Sequence, residues 1–220
     1  SICEPAGALG VAGMKKYVER TGCRNKTLVT ISSGAVYSAR DAGVDAPNVE
    51  PYGFLKQESE SQLVTQASQT DTTLVIARAF SVSGGLVQFP DEYALSSFVR
   101  QALGSGLIRV EAPTLVYRRY CSVGDFLAVG FGLSNTSGIT QFDSGGDLVE
   151  LADLARMVAE AVEGSVSVEA QPDRVATAGS SYCSDNTEWE QVLRKTNLSA
   201  STLSEQISEV VGAFSEGHLN

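Results

Sequence analysis

Short apolar runs and segments of helical period follow one another along this chain. Gly7 to about Arg20 reads as a helix, with apolar Leu9, Met14 and Val18 beside the pair Lys15-Lys16. Thr21-Gly22 ends it, because glycine readily takes the conformation of a helix stop. Thr27-Leu28-Val29-Thr30-Ile31 is a β-rich run between polar residues and predicts a buried strand. Residues 38–51 read as a polar loop containing Pro47 and Pro51, and a helical pattern runs from Tyr52 to about Ser68. Leu74-Val75-Ile76-Ala77 predicts a second buried strand, and 81–92 a Gly- and Pro-bearing loop long enough to bind a ligand. A helix near Ala94–Leu103, a strand near Leu107–Val110 and a helix from Asp125 to about Leu133 follow. Asp147-Leu148-Val149-Glu150-Leu151 is expected to open an amphipathic helix reaching about Val162. Val166–Glu169 reads as a strand and Leu203–Phe214 as a last helix. Alternating strands and helices predict an α/β fold with a mainly parallel sheet.

Composition narrows the function more by exclusion than by suggestion. A hydrophobic fraction of 43% in 220 residues supports one large domain, or a core with a smaller lobe. The formal net charge of −10 argues against a nucleic-acid partner, whose binding rests on clustered Lys and Arg. Cys3, Cys23, Cys121 and Cys183 form no C-x-x-C pair, and His218 is the lone histidine. Such scattered ligands do not predict a metal site, and a single late histidine argues against a Ser-His-Asp hydrolase. The scattered thiols suggest a reducing, cytoplasmic setting. No apolar run is long enough for a membrane-spanning helix, and Ser1–Pro5 lacks the features of a signal peptide.

Two local features carry candidate chemistry. In Tyr52-Gly53-Phe54-Leu55-Lys56, Tyr52 and Lys56 stand four apart, so on a helix they share a face. A lysine ammonium beside a phenol favours the phenolate, which can exchange a proton with a substrate hydroxyl or carbonyl. The same spacing also occurs in solvated pairs on helix surfaces. Ser32-Ser33-Gly34 follows a strand, at the sheet end where open α/β folds bind ligands. A serine hydroxyl there can donate to a substrate oxygen as charge develops, and the same residues also make an ordinary Ser-Gly turn.

Taken in order, the strand, Ser32-Ser33, Val36-Tyr37, a short loop, Pro51-Tyr52-Gly53 with Lys56, and Glu60 four residues on form a specific set. This set resembles the extended short-chain dehydrogenase/reductases of the nucleotide-sugar epimerase/dehydratase kind. The resemblance implies Ser33, Tyr52 and Lys56 as the catalytic residues, with Tyr52 and Lys56 also on the cofactor, NAD or NADP. Ser33 would orient the substrate oxygen. Leu55 and Ser38 depart from the family's frequent serine and glycine at positions without a catalytic role. Arg78-Ala79-Phe80-Ser81 resembles the family's Arg-x-x-Asn, which places Ser81 where an asparagine touches the substrate phosphate. Arg118-Arg119-Tyr120 with Val123 and Asp125 resembles the segment whose first arginine grips the nucleotide-sugar diphosphate, which makes Arg118 a substrate residue. Phe142-Asp143-Ser144-Gly145 and the segment Leu148–Val162 extend the similarity over nearly the whole chain.

The family ordinarily opens with a strand and a Gly-x-x-Gly-x-x-Gly turn that holds the dinucleotide pyrophosphate. Gly7, Gly10 and Gly13 match that spacing, but Ser1–Ala6 contains Pro5 and is too short for the strand that must precede it. The expectation is that the N-terminal cofactor-binding part is absent and that the isolated chain binds NAD(P) weakly. The implied fold is a partial Rossmann-like, mainly parallel sheet with helices on both faces, plus a small C-terminal α/β substrate-binding lobe. Residues 1–80 are expected to hold the Ser/Tyr/Lys site, and 81–220 mainly the lobe, interleaved with the last sheet strands. The implied function is an NAD(P)-dependent epimerase or keto-reductase acting on a nucleotide-linked sugar. Gly34 and Ala35 stand where dehydratases of the family carry acidic residues. The competing reading is a non-catalytic binding or scaffold fragment. A homodimer through the helices near 7–20 and 52–68 is expected, with Leu63 at the interface.

Overall fold

The computed structural model describes residues 16–17, 19–22, 26–70, 72–86, 89–177 and 181–216. The glycines Gly7, Gly10 and Gly13, the start of the first expected helix and His218 lie outside the described residues. In chain order the strands are β1 (Thr27–Ser33), β2 (Thr73–Ala79), β3 (Ser81–Ser83), β4 (Leu107–Val110), β5 (Tyr117–Ser122), β6 (Ile139–Asp143), β7 (Asp147–Glu150), β8 (Ser167–Ala170) and β9 (Ser181–Tyr182). The α-helices are α1 (Ala35–Ala42), α2 (Ala46–Val49), α3 (Pro51–Thr70), α4 (Ala94–Ser105), α5 (Val123–Gly132), α6 (Leu151–Ala161), α7 (Thr187–Thr196) and α8 (Leu203–Ser215). The fold is α/β, and the chain divides into two compact units.

The first unit draws on the chain up to Phe80, Leu127–Ser144 and Glu188–Leu198. Its sheet has the order β1-β2-β6 and is parallel throughout. Parallel strands are covered on both faces, so β2 reads as a continuous apolar run rather than an alternation. On one face Leu28, Leu74 and Ile76 pack against Leu63 and Ala67 of α3. On the other, Val29 lies under Gly130 of α5, and Phe142 stacks on Trp189 of α7 with ring centroids 6.2 Å apart. Register places Ser33 opposite Ala79, and Arg78 opposite both Ser32 and Asp143.

The second unit comprises Ser81–Phe126, Gly145–Thr187 and the chain from Ser199. β5 is central to a mixed sheet, parallel to β3 and β9 and antiparallel to β7, while β4 and β8 form a separate parallel pair. Leu95, Phe98 and Val99 of α4 meet Leu154 and Val158 of α6 and Leu203, Ile207 and Val210 of α8 in one core. Thr202 and Glu205 form a reciprocal capping box that starts α8.

Four expectations are corrected. Asp147–Glu150 is the strand β7 rather than the first turn of α6, because it pairs with Tyr117–Tyr120. Glu150 is then extended, and its carboxylate caps α6 by accepting from the N–H of Ala152. The expected loop over 38–51 is largely helical: α1, one 3₁₀ turn and α2. Pro47 and Pro51 lie in the first turns of α2 and α3, where no N–H is required. Within 81–92, Ser81–Ser83 is a strand because β5 offers it a ladder. Leu63 is 5% exposed and belongs to the core of the first unit, so it is not an interface residue.

One buried ion pair ties β7 and α6 to the segment near Arg174. Arg174 donates to both oxygens of Glu150 at 3.0 and 2.9 Å, and Val116 N–H donates to the same carboxylate at 3.2 Å. Both side chains are over 90% buried. Removing one member of such a pair strands a buried charge. Glu150→Ala is therefore expected to lower the unfolding free energy by about 3–5 kcal/mol in urea titration.

Candidate functional site

β1 ends in two buried serines, Ser32 and Ser33. Gly34 turns the chain into α1, donating its N–H to Ala79 O at 2.9 Å, while Ser33 Oγ accepts from Ala35 N–H at 3.2 Å. A Cβ on Gly34 would lie 2.5 Å from the Phe80 ring, so a larger residue here requires that ring to move. Ser33 is thus held at the carboxyl end of the sheet, where parallel α/β folds gather ligands.

Tyr52 and Lys56 come together on the first turns of α3. The Lys56 Nζ lies 5.5 Å from the Tyr52 ring centroid, with Tyr52 39% exposed and Lys56 half-buried. Gly53 beside them is buried against α1, and a Cβ there would lie 2.2 Å from the carbonyl oxygen of Ala35. Backbone contact at Gly53 therefore brings the start of α3 against the turn that follows Ser33. The arrangement offers an exposed phenol with a half-buried ammonium beside it, on the helix start that packs against the turn after Ser33.

Beneath these residues lies a buried polar network. Arg78 donates Nε to Glu60 Oε1 at 2.9 Å and Nη2 to Glu60 Oε2 at 2.7 Å, a bidentate pair from β2 to α3. Its Nη1 donates to Tyr37 Oη at 2.9 Å, and Nη2 also reaches Gln141 Oε1 at 3.0 Å. Tyr37 in turn donates to Asp143, 2.9 Å from Oδ2. Arg40 flanks the cluster, its guanidinium carbon 5.2 Å from the Tyr37 ring centroid. Burial pushes the Glu60 carboxyl up, but the Arg78 hydrogen bonds outweigh it and hold the group below its ordinary value. Asp143 moves the other way: burial raises it, and the Tyr37 hydrogen bond and Arg78 only partly compensate. Burial also raises Tyr37, reinforced by its bond to Asp143. The Ser32 hydroxyl is buried without a hydrogen bond of good geometry among the described residues, yet it sits near enough to Glu60 to favour its carboxylate.

The second unit holds Ser81 and Arg118. Ser81 pairs with Tyr120 across β3 and β5, and Arg118 stands two residues before Tyr120 on β5. The Arg118 guanidinium lies 5.7 Å from the Tyr182 ring centroid, and Nη1 donates to Tyr117 O at 2.8 Å. Neighbouring Arg119 is committed to the backbone, donating to Ser184 O and Gly146 O at 3.1 and 2.9 Å. Burial pushes the Tyr120 phenol up to about 12. Among the described residues no cluster of three or more His, Cys, Asp or Glu could hold a metal ion, and no helix is long and apolar enough to cross a membrane.

No family model matches this sequence. The solved structures that resemble it include RMD from Pseudomonas aeruginosa complexed with NADPH, with a TM-score of 0.70 at 18% identity over 96% of this chain and 73% of that one. MoeE5 in complex with UDP-glucose and NAD has a TM-score of 0.66 at 19% identity, over 88% of this chain and 66% of its own. The UDP-N-acetylglucosamine 4-epimerase of Methanobrevibacter ruminantium M1, in complex with UDP-N-acetylmuramic acid, has a TM-score of 0.66 at 16% identity, over 87% and 64%. The fold of this chain is the one these structures share. Among curated proteins, a 35-residue stretch is 60% identical to the L-threonine dehydratase IlvA of Burkholderia multivorans, covering 16% of this chain and 7% of that protein.

Tyr37, Arg78 and Asp143 entered the sequence reading only as motif positions without a role, and Gln141 did not enter it. One signal was present: an arginine inside the apolar run Leu74–Ala79 must find a buried partner. The helix contact at Gly53 is equally easy to check. Gly53→Ala puts a methyl into the Ala35 carbonyl and forces α3 away from α1, an overpacking cost of about 1–3 kcal/mol. A lowered melting temperature by circular dichroism is the expected result, with loss of the Tyr52–Lys56 placement.

Proposed function

We propose that the protein is an NAD(P)-dependent epimerase or keto-reductase acting on a nucleotide-linked sugar, with Tyr52 as the acid/base. The observation that carries this reading is the Tyr52–Lys56 pair on the first turns of α3, seated by Gly53 against the turn after Ser33. Its exposed phenol and half-buried ammonium are a donor set suited to a ribose and a sugar hydroxyl. Tyr52 and Lys56 would hold a nicotinamide cofactor, which would supply hydride chemistry at the sugar carbon. Tyr52 takes the proton of the sugar hydroxyl as the carbonyl forms and gives it back on reduction. Lys56 favours the phenolate and hydrogen-bonds the ribose. Ser33 orients the substrate oxygen. Arg118 is the proposed contact for the diphosphate, because a guanidinium matches phosphate oxygens in pairs, and Ser81 is proposed to contact a phosphate oxygen. Gly34 and Ala35 after the serine stand where the resemblance would put a dehydratase's acidic residues, which favours epimerisation or reduction. A cytoplasmic setting belongs to the same proposal, from the scattered cysteines.

Tyr52→Phe removes only the proton-transfer hydroxyl. Turnover of a nucleotide sugar with NAD or NADP should fall by about 10²–10⁴, with an unchanged circular dichroism spectrum. Turnover near the wild-type rate in this variant would remove Tyr52 from the mechanism. A homodimer through the segment near 7–20, expected from the sequence to be helical, and α3 is proposed with this function. Leu55, 43% exposed on α3, is its apolar contact in place of the buried Leu63. Leu55→Glu should yield a monomer by light scattering; an unchanged dimer mass counts against this interface.

A further inference from the structure

We infer that Glu60, through its bidentate pair with Arg78, is a positioning residue that sets the rotation and axial register of α3 and so places Tyr52 and Lys56. This rests on the proposed role of those two residues. Tyr52, Lys56 and Glu60 recur every four residues along α3, which puts them on one side of the helix. Tyr52 is exposed and Lys56 half-buried, while Glu60 is 5% exposed and points into the protein interior. The carboxylate meets both Nε and Nη2 of Arg78, at 2.9 and 2.7 Å. Two parallel bonds to a planar fork fix direction as well as distance. A slip of α3 by one helical turn, about 5.4 Å, would break both.

Arg78 is itself an anchored reference point. It stands opposite Ser32, the residue before Ser33, and opposite Asp143. Its remaining donors reach Tyr37 on α1 and Gln141 on β6, and Tyr37 reaches Asp143. Thus α3, α1 and β6 are tied to one guanidinium on β2, adjacent to the Ser33 strand end. The Gly53–Ala35 contact sets how closely α3 approaches and which face it turns to α1. The ion pair fixes the helix at a second point further along its length, with two directional bonds. Stability alone does not explain such a pair, because apolar residues of similar volume often stabilise a fold as well or better, and the best-attested use of buried polar contacts is registry.

The experiment compares wild type, Tyr52→Phe, Glu60→Gln and Arg78→Lys in the full protein that carries this chain. It measures melting temperature, kcat and KM for a nucleotide sugar with NAD(P), and amide hydrogen exchange over residues 51–57. Arg78→Lys keeps the buried charge and loses the fork, so it remains informative if Glu60→Gln does not fold. Positioning predicts that Glu60→Gln and Arg78→Lys, where folded, each lose kcat by about 10- to 100-fold with KM within about twofold, and that exchange at 51–57 rises in them while that of α8 does not. A purely structural role predicts a lower melting temperature with wild-type kcat per folded molecule and unchanged exchange at 51–57; that result overturns the inference. If wild type shows no turnover, or Tyr52→Phe equals it, the functional proposal fails instead, and the exchange measurement alone then decides the positioning of α3.

Discussion

An arginine inside an apolar strand is the constraint around which the first unit is arranged. Arg78 is 3% exposed in a β2 whose other residues are almost all apolar. A guanidinium cannot lose its proton at any ordinary pH, so burial must be met by partners rather than by neutralisation. Here the partners come from α3, α1 and β6, and each of these elements must be in place before the charge is satisfied. The network is consequently all-or-none in character, since a half-satisfied buried network is worse than an apolar core.

Its internal electrostatics are uneven. Glu60 takes the two strongest bonds from Arg78 and is held in its charged form. Asp143 faces Arg78 only at 3.8 Å and is raised by burial. Tyr37 mediates between them, accepting from Arg78 and donating to Asp143, so the phenol stays protonated. By linkage, the depressed Glu60 contributes stability that is present above the ordinary carboxylate range and lost as pH falls through its lowered value. Asp143 has the opposite sign: its raised value means that its ionised form opposes folding at neutral pH, an effect relieved on acidification.

Around this network, two glycines act by steric exclusion. Gly34 admits the Phe80 ring, which stacks on Tyr37 at 6.1 Å, and Gly53 admits the Ala35 carbonyl. Both stand at the junctions where Ser33 gives way to α1 and where Tyr52 begins α3. The second unit solves a similar problem with different parts. Glu150 satisfies Arg174 and two backbone N–H groups at once, so a strand end, a helix start and a distant segment share one carboxylate.

What the sequence determined by itself was local. β1, β2, β4, α4 and α8 were legible because a run or period within one segment decides which face is apolar. The Tyr52–Lys56 pairing was legible for the same reason: i and i+4 meet on any helix. The order of Ser33, Tyr52 and Lys56 also carried the resemblance to the epimerase/dehydratase fold. Tertiary structure decided the rest. Asp147–Glu150 has a helical pattern and became a strand because β5 lay alongside to pair with it. β5 itself, rich in arginine and tyrosine, is a strand only because ladders form on both its sides. Leu63 looked like a surface apolar residue until β1 and β2 covered it. The partners of Arg78 lie 18, 41 and 63 residues away, and no periodicity within a helix or strand encodes such distances. A buried charge announces that it needs partners, but only the packing of the sheet against its helices determines which ones it finds.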